Sequence, residues 1–288
     1  MSAREHILET FAELSPALQG AARFVVDHPN EVVTGSMRSL AARAGVQPAT
    51  LVRLAQRLGY AGWPALKAGF VADLGLHSAG YGARAGRLAT RARRADLAGE
   101  LFAAHRHNLE ATQRRSTAAL PAAAAMLRRA RAVYVAGFRA SHPVAYALYY
   151  GYRLFRDSVH LVDGVAGGIE AQLRPLRRGD VVLVIGFAPY SRESMQVLER
   201  ARSAGAAVLA LTDSDASPLA LAARQVLLFA ADSPSFFPSV ACAVALSEAL
   251  LERLVAEGGR PVVAQIERAE QQLVDAGAYV LPQGRRGS

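Results

Sequence analysis

Two arginines four residues apart, Arg53 and Arg57, lie in a stretch whose apolar residues repeat at helical spacing. Between Pro48 and Leu58, the side chains of Leu51, Leu54, Ala55 and Leu58 fall on one side. Pro48, Ala49, Thr50, Arg53, Gln56 and Arg57 are thereby left to face out. A guanidinium can bond two acceptors of a guanine edge at once, so Arg53 is the candidate base reader. Thr50 is placed for a base edge or a phosphate. Gln56 and Arg57, farther along, are placed for phosphates that set register without reading sequence. Elsewhere the reactive residue types exclude more than they suggest. The single cysteine, Cys242, sits in the apolar run VACAVAL and reads as a buried thiol with no internal disulfide. The seven histidines form no H-E-x-x-H pattern and have no cysteine partners. His105 and His107, two residues apart, would point in different directions on a helix. No metal and no cofactor are expected.

The elements that must hold Arg53 in place form a helix-turn-helix layout in Ser36–Tyr60, SMRSLAARAGVQPATLVRLAQRLGY. Ser36 can cap a first helix whose Met37, Leu40 and Ala41 share a face. Gly45 ends it by supplying a left-handed turn, and Val46 plugs the angle between the helices. Pro48 then opens the second helix at the position where its missing N–H has no partner to lose. In such a motif the second helix lies in the major groove with its amino-terminal residues against base edges. Charge agrees: the formal net charge is +9, and residues 1–94 carry 12 basic against 6 acidic residues. A soluble basic protein ordinarily has an acidic partner, here double-stranded DNA.

Three regions separate along the chain. Residues 1–75 read as an all-α, DNA-binding domain. Residues 76–95, rich in glycine and arginine without a clean apolar stripe, read as a linker that becomes helical toward its end. From about residue 131, β-rich runs (VYVAGF, VHLVD, VVLVIGF, AVLALT and QVLLFA) alternate with helical stretches. Continuous apolar strands interleaved with helices imply a doubly wound α/β domain with a parallel sheet, here 96–276 with its leading helices, followed by a tail at 277–288. Ligands of such sheets bind beyond the carboxyl ends of the strands at a switch in strand order, so the turns after the first and third strands are the expected site. No apolar run is long enough to span a bilayer and the first residues are charged, so a cytoplasmic protein with no membrane contact is expected.

The segments LSPALQGAARFVVDHPNEVV and SMRSLAARAGVQPATLVRLAQRLGYAGWPALK resemble the amino-terminal domain of RpiR-type transcription regulators. Leu58, Gly59, Tyr60, Gly62, Trp63, Leu66 and Lys67 carry that domain's closing pattern. The resemblance implies a carboxyl-terminal sugar isomerase (SIS) domain, and the second half is similar to one. SIS domains that bind phosphosugars share a Gly-x-Gly-x-Ser turn after strand one and a Ser-x-Ser-Gly-x-Thr turn after strand three. Here the first turn is Gly137, Phe138, Arg139, Ala140, Ser141: arginine replaces the second glycine and the serine survives. In the second, Gly186 and Ala188 replace both serines, Pro189 replaces the glycine, and only Ser191 keeps a hydroxyl.

Lost hydroxyls and a proline without an N–H weaken a phosphate cradle, while Arg139, Tyr190 and Arg192 enter. An arginine fork pairs with a carboxylate as readily as with a phosphate, so a small anionic metabolite is the expected effector. Thr212, Asp213 and Ser217 match the family's "T....SPLA" stretch, which turn formation and capping also explain. Glu248, a charge in an otherwise apolar helix, faces either the pocket or solvent. Two other readings compete: a sugar-phosphate isomerase, with Glu248 and His142 as acid–base candidates but no paired constellation, and a ligand-free dimerisation module. A homodimer or higher oligomer is expected, because paired reading heads bind two half-sites and the alanine-rich helices of 96–130 offer apolar faces.

Overall fold

Alternation within single strands decides the architecture of the second domain. In the computed structural model, which describes residues 3–73, 80–91, 96–165 and 167–279, Val133 and Val135 of one strand enter one apolar layer while Tyr134 and Ala136 enter another. Val181, Leu183 and Ile185 of a second strand likewise oppose Val182 and Val184. A strand buried on both sides belongs to a sheet covered on both faces.

The head comes first: α1 (Ala3–Thr10), α2 (Pro16–Asp27), α3 (Pro29–Thr34), α4 (Met37–Arg43), α5 (Pro48–Arg57) and α6 (Trp63–Asp73). Ile7, Leu40, Leu51, Leu54, Trp63, Leu66 and Phe70 meet in a core of their own. Lys67 Nζ of α6 donates to the Gly35 carbonyl at 2.9 Å, which ties the closing helix to the entry of α4. Burial and the neighbouring Arg192 hold the Lys67 ammonium below the usual lysine range.

The expected linker is in part a helix, α7 (Tyr81–Arg91), and it packs on the second domain rather than hanging free. The Tyr81 ring lies 4.9 Å from that of Phe237, and an Arg84 guanidinium N–H donates to the Ser233 carbonyl at 2.7 Å. The remaining linker positions, 76–79 and 92–95, lie outside the described residues, as does most of the expected tail.

Two helices then lead into the sheet, α8 (Leu97–Ser116) and α9 (Leu120–Arg129). The alternation continues as β1 (Val133–Gly137), α10 (His142–Arg153), β2 (Val159–Val162), α11 (Gly168–Leu173), β3 (Val181–Gly186), α12 (Arg192–Ala204), β4 (Ala207–Thr212), α13 (Pro218–Ala222), β5 (Gln225–Leu228) and α14 (Ala241–Asp275). All pairings are parallel, in the order β2-β1-β3-β4-β5, so the order reverses between β1 and β3. Gly137 pairs with Ile185, which sets the turns that follow β1 and β3 side by side. α14 bends at Gly259, whose φ of 64° and ψ of −159° are non-helical, with Pro261 just beyond.

Candidate functional site

Both helices of the expected reading motif end in the same way. Gly45 and Gly59 adopt φ of 66° and 80°, a conformation without steric cost only for glycine. The following N–H reaches back a turn and a half, from Val46 to the Ala41 carbonyl at 2.9 Å and from Tyr60 to the Ala55 carbonyl at 3.0 Å. Ser36 is exposed, and its hydroxyl oxygen accepts the Ser39 N–H at 3.1 Å, so it caps α4. On α5, Ala49, Arg53, Gln56 and Arg57 are exposed and Pro48 is half-buried. Arg53 has no hydrogen-bond or ion-pair partner among the described residues, whereas Arg57 stands 3.9 Å from Glu13.

Thr50 is a correction. Expected on the outward face, it is 7% exposed, packed on the inner side with Leu51, Leu54 and Ala55. It lies one turn before Leu54, so its spacing assigns it to the core and only its polarity suggested otherwise.

In the second domain the turns after β1 and β3 enclose a cavity of about 380 Å³ at the reversal of strand order. Gly137 is required where the turn after β1 packs on α10: a Cβ there would lie 2.7 Å from both the Ala145 Cβ and the Ser141 carbonyl oxygen. Arg139 takes over the backbone of the glycine it replaces, with a φ of 56°. Its guanidinium donates to Glu193 Oε1 at 2.7 Å. Ser141 is buried and lines the cavity. Tyr190 donates its hydroxyl to Asp213 Oδ1 at 2.6 Å, and the Ala188 N–H reaches Oδ2 of the same carboxylate at 3.1 Å. Asp213 therefore holds the β3 turn in shape. Burial first, and Asp213 second, push the Tyr190 hydroxyl far above the usual phenol range, so it stays a proton donor.

Ser191 caps α12 by accepting the Ser194 N–H at 3.1 Å. Arg192, in the first turn, is exposed at the rim with no ion-pair partner among the described residues. Glu193 follows it. Its own backbone N–H above all, then Arg139 and Ser191, hold its carboxyl below the usual range, and its Oε2 is buried without a hydrogen-bond partner.

Two expected contacts lie elsewhere. The Thr212 hydroxyl is fully buried and bonded to the Ser217 and Asp213 oxygens at 3.1 and 3.3 Å, so it shapes the turn after β4. Glu248 is exposed and absent from the cavity wall, because Leu246, Ser247 and Leu250 take the inner face of α14. The wall that sequence reasoning missed is aromatic: Tyr81, Phe138, Phe187 and Phe237, with Glu193 as its one carboxylate. Phe138 and Phe187 each follow a strand-ending glycine, which was the available signal. Tyr81 and Phe237 come from segments with no strand or helix pattern to place them.

Residues 1–74 match the model of the helix-turn-helix domain of the rpiR family, and residues 126–253 that of the SIS domain. The chain belongs to the RpiR family of transcription regulators. Among solved structures, the sugar isomerase domain of the RpiR transcription factor from Sphaerobacter thermophilus is 25% identical. That match has a TM-score of 0.58 and covers 62% of this chain and 99% of that one. The NanR protein of Vibrio vulnificus, complexed with ManNAc-6P, is 16% identical with a TM-score of 0.56, and the match covers 96% and 100%. At that identity the likeness is one of fold. No curated relative matches the chain. An RpiR-type helix-turn-helix head joined to a SIS domain makes this a DNA-binding regulator. Among the described residues no helix is long and apolar enough to cross a membrane.

Proposed function

We propose that this RpiR regulator binds a double-stranded operator through α5 and changes its DNA affinity when a small anionic metabolite enters the cavity between the β1 and β3 turns. The observation that carries the reading is the unpaired Arg192 at the rim of a cavity of about 380 Å³ placed at the strand-order reversal. Arg53 reads a base, while Gln56 and Arg57 hold phosphates. Arg139, Ser141, Tyr190, Ser191 and Arg192 converge on the ligand cavity. The NanR protein, of the same fold, was solved complexed with ManNAc-6P, which supports a small-molecule ligand for this chain.

The chain acts as a homodimer or higher oligomer in this reading. Phe102 and Leu109, seven residues apart on α8, are 61% and 44% exposed and supply an apolar face for a second copy. Removing that copy should cost operator affinity, because two half-sites are read together. Residues 1–75 alone, with their own core, should therefore bind far more weakly than the full chain.

The test uses the operator recovered from genomic fragments retained by the purified protein. An effector shifts DNA affinity only through its differential affinity for two protein states. Arg192→Ala should leave operator affinity within about twofold yet move the effector midpoint tenfold or more, since a lost charged hydrogen bond costs roughly 1.5–3 kcal/mol. An unchanged midpoint would place the ligand elsewhere.

A further inference from the structure

We propose that the SIS-domain pocket selects a monoanionic carboxylic acid with an aromatic or similarly flat apolar body, and that Glu193 excludes phosphate esters from it. The inference rests on the sensing role proposed above and names the ligand class.

The helix end that would hold a phosphate is the amino terminus of α12. An α-helix amino terminus favours an anion because its first N–H groups are unpaired and its dipole points positive charge outward. In α12 that place is already taken from within. The Glu193 carboxylate, in the first turn, receives the Arg139 guanidinium at 2.7 Å, and its carboxyl is held below the usual range. A dianionic phosphate brought to the same turn would meet this carboxylate at close range, in a partly desolvated site where like charges repel strongly. Two of the hydroxyls lining the cavity already have partners. Ser191 Oγ serves the Ser194 N–H at 3.1 Å, and Tyr190 donates to Asp213 at 2.6 Å.

Charge counting then fixes the valence of the guest. Arg139 and Glu193 cancel, leaving Arg192 as the one charged residue of the cavity lining without an ion-pair partner among the described residues. One free guanidinium matches one carboxylate, in the bidentate geometry that arginine favours.

The walls define the rest of the guest. Phe138 and Phe187 are 8% and 7% exposed at the strand ends, and Phe187 meets Phe237 edge to face at 6.3 Å. Tyr81 closes the far side against Phe237 at 4.9 Å. Rings so arranged offer faces and edges to another ring, and little to a polyhydroxylated sugar, whose hydroxyls would be stripped of water without partners. The cavity volume lies within the range of small-molecule sites, roughly 300–1,000 Å³.

The test is calorimetric titration of the full chain with benzoate, 3-phenylpropanoate, glucose 6-phosphate and inorganic phosphate. The aromatic acids should bind the unaltered protein, Arg192→Ala should weaken them tenfold or more, and neither phosphate should bind. Glu193→Gln, which keeps size and removes charge, should raise affinity for glucose 6-phosphate at least tenfold while changing that for the aromatic acids far less. Glucose 6-phosphate binding to the unaltered protein in preference to the acids would overturn the ligand class and leave the sensing role standing. Binding of neither class would overturn both. An unaltered phosphate affinity in Glu193→Gln would show that this carboxylate does not guard the helix end.

Discussion

Arg139 holds a backbone conformation that its side chain disfavours, and replacing it separates the strain from the ion pair. With φ at 56°, an L-residue brings Cβ against the neighbouring carbonyl, which costs about 1–2 kcal/mol relative to a residue free of Cβ. Glycine returns about 0.5–1 kcal/mol of that through its greater freedom in the unfolded chain. Arg139→Gly should therefore be about 1 kcal/mol more stable than Arg139→Ala, which keeps the Cβ. Both variants lose the contact with Glu193. Because the Arg139 side chain is 75% exposed, that pair contributes only about 0–1 kcal/mol after screening, and the loss is common to the two. The difference between them isolates the backbone term. Scanning calorimetry should place the unfolding of the second domain about 2–4 °C higher in the glycine variant. Equal midpoints would show that the turn after β1 relaxes out of the left-handed region at no cost, and that nothing there demands a glycine-like backbone.

Arg53→Ala should weaken operator binding by about 1–3 kcal/mol and relax preference at one base position, whereas Arg57→Ala should weaken operator and random duplex alike; fluorescence anisotropy with both duplexes distinguishes them, and an equal loss on both for Arg53→Ala would remove it as a base reader. Gly45→Ala meets no atom within 4 Å but must hold a φ of 66°, so it should cost about 1 kcal/mol of head stability through the backbone alone, read by denaturant unfolding of the full chain followed at Trp63. Glu193, whose carboxyl is depressed from 4.5 in the folded protein, contributes stability that is present above that ordinary value and is lost as pH falls through the lower folded one. The stability gap between the unaltered protein and Glu193→Gln should thus shrink from pH 6 toward pH 3, and a constant gap would mean that the carboxylate is not stabilised by its neighbours.

Periodicity carried most of the architecture. Alternating apolar runs placed the five strands, and Gly45 with Pro48 placed the turn between α4 and α5, because both signals arise from backbone geometry that local sequence determines. Rotation about a helix axis was harder to read. Thr50 was assigned by its hydroxyl although its spacing from Leu54 put it inside, and Glu248 was left open because α14 is apolar on most sides. The cavity position followed from strand order, a property of the parallel sheet. Its aromatic lining did not, since Tyr81, Phe138, Phe187 and Phe237 are brought together from four separate segments, and contacts of that range have no periodic signature. Glu193 left one trace, an acid in the first turn of a helix, which is common wherever a helix dipole needs a counter-charge.

The departures from the phosphosugar-type turns make physical sense as a group and poor sense singly. An arginine in place of the second glycine strains the backbone at φ 56°, and by itself would leave a cation at the mouth of the pocket. Glu193 by itself would place a carboxylate against a cavity wall with one oxygen buried and unpartnered. Together the two neutralise each other at 2.7 Å and place a carboxylate in the anion-favouring first turn of α12. Gly186, Ala188 and Pro189 stand where the family pattern has serine and glycine. The turn is then held from below, by Asp213 accepting both the Ala188 N–H and the Tyr190 hydroxyl. Toward the cavity stand the aromatic walls, the Ser141 side chain and a single guanidinium without an ion-pair partner at the rim, so in this reading stacking and one charge lead the recognition.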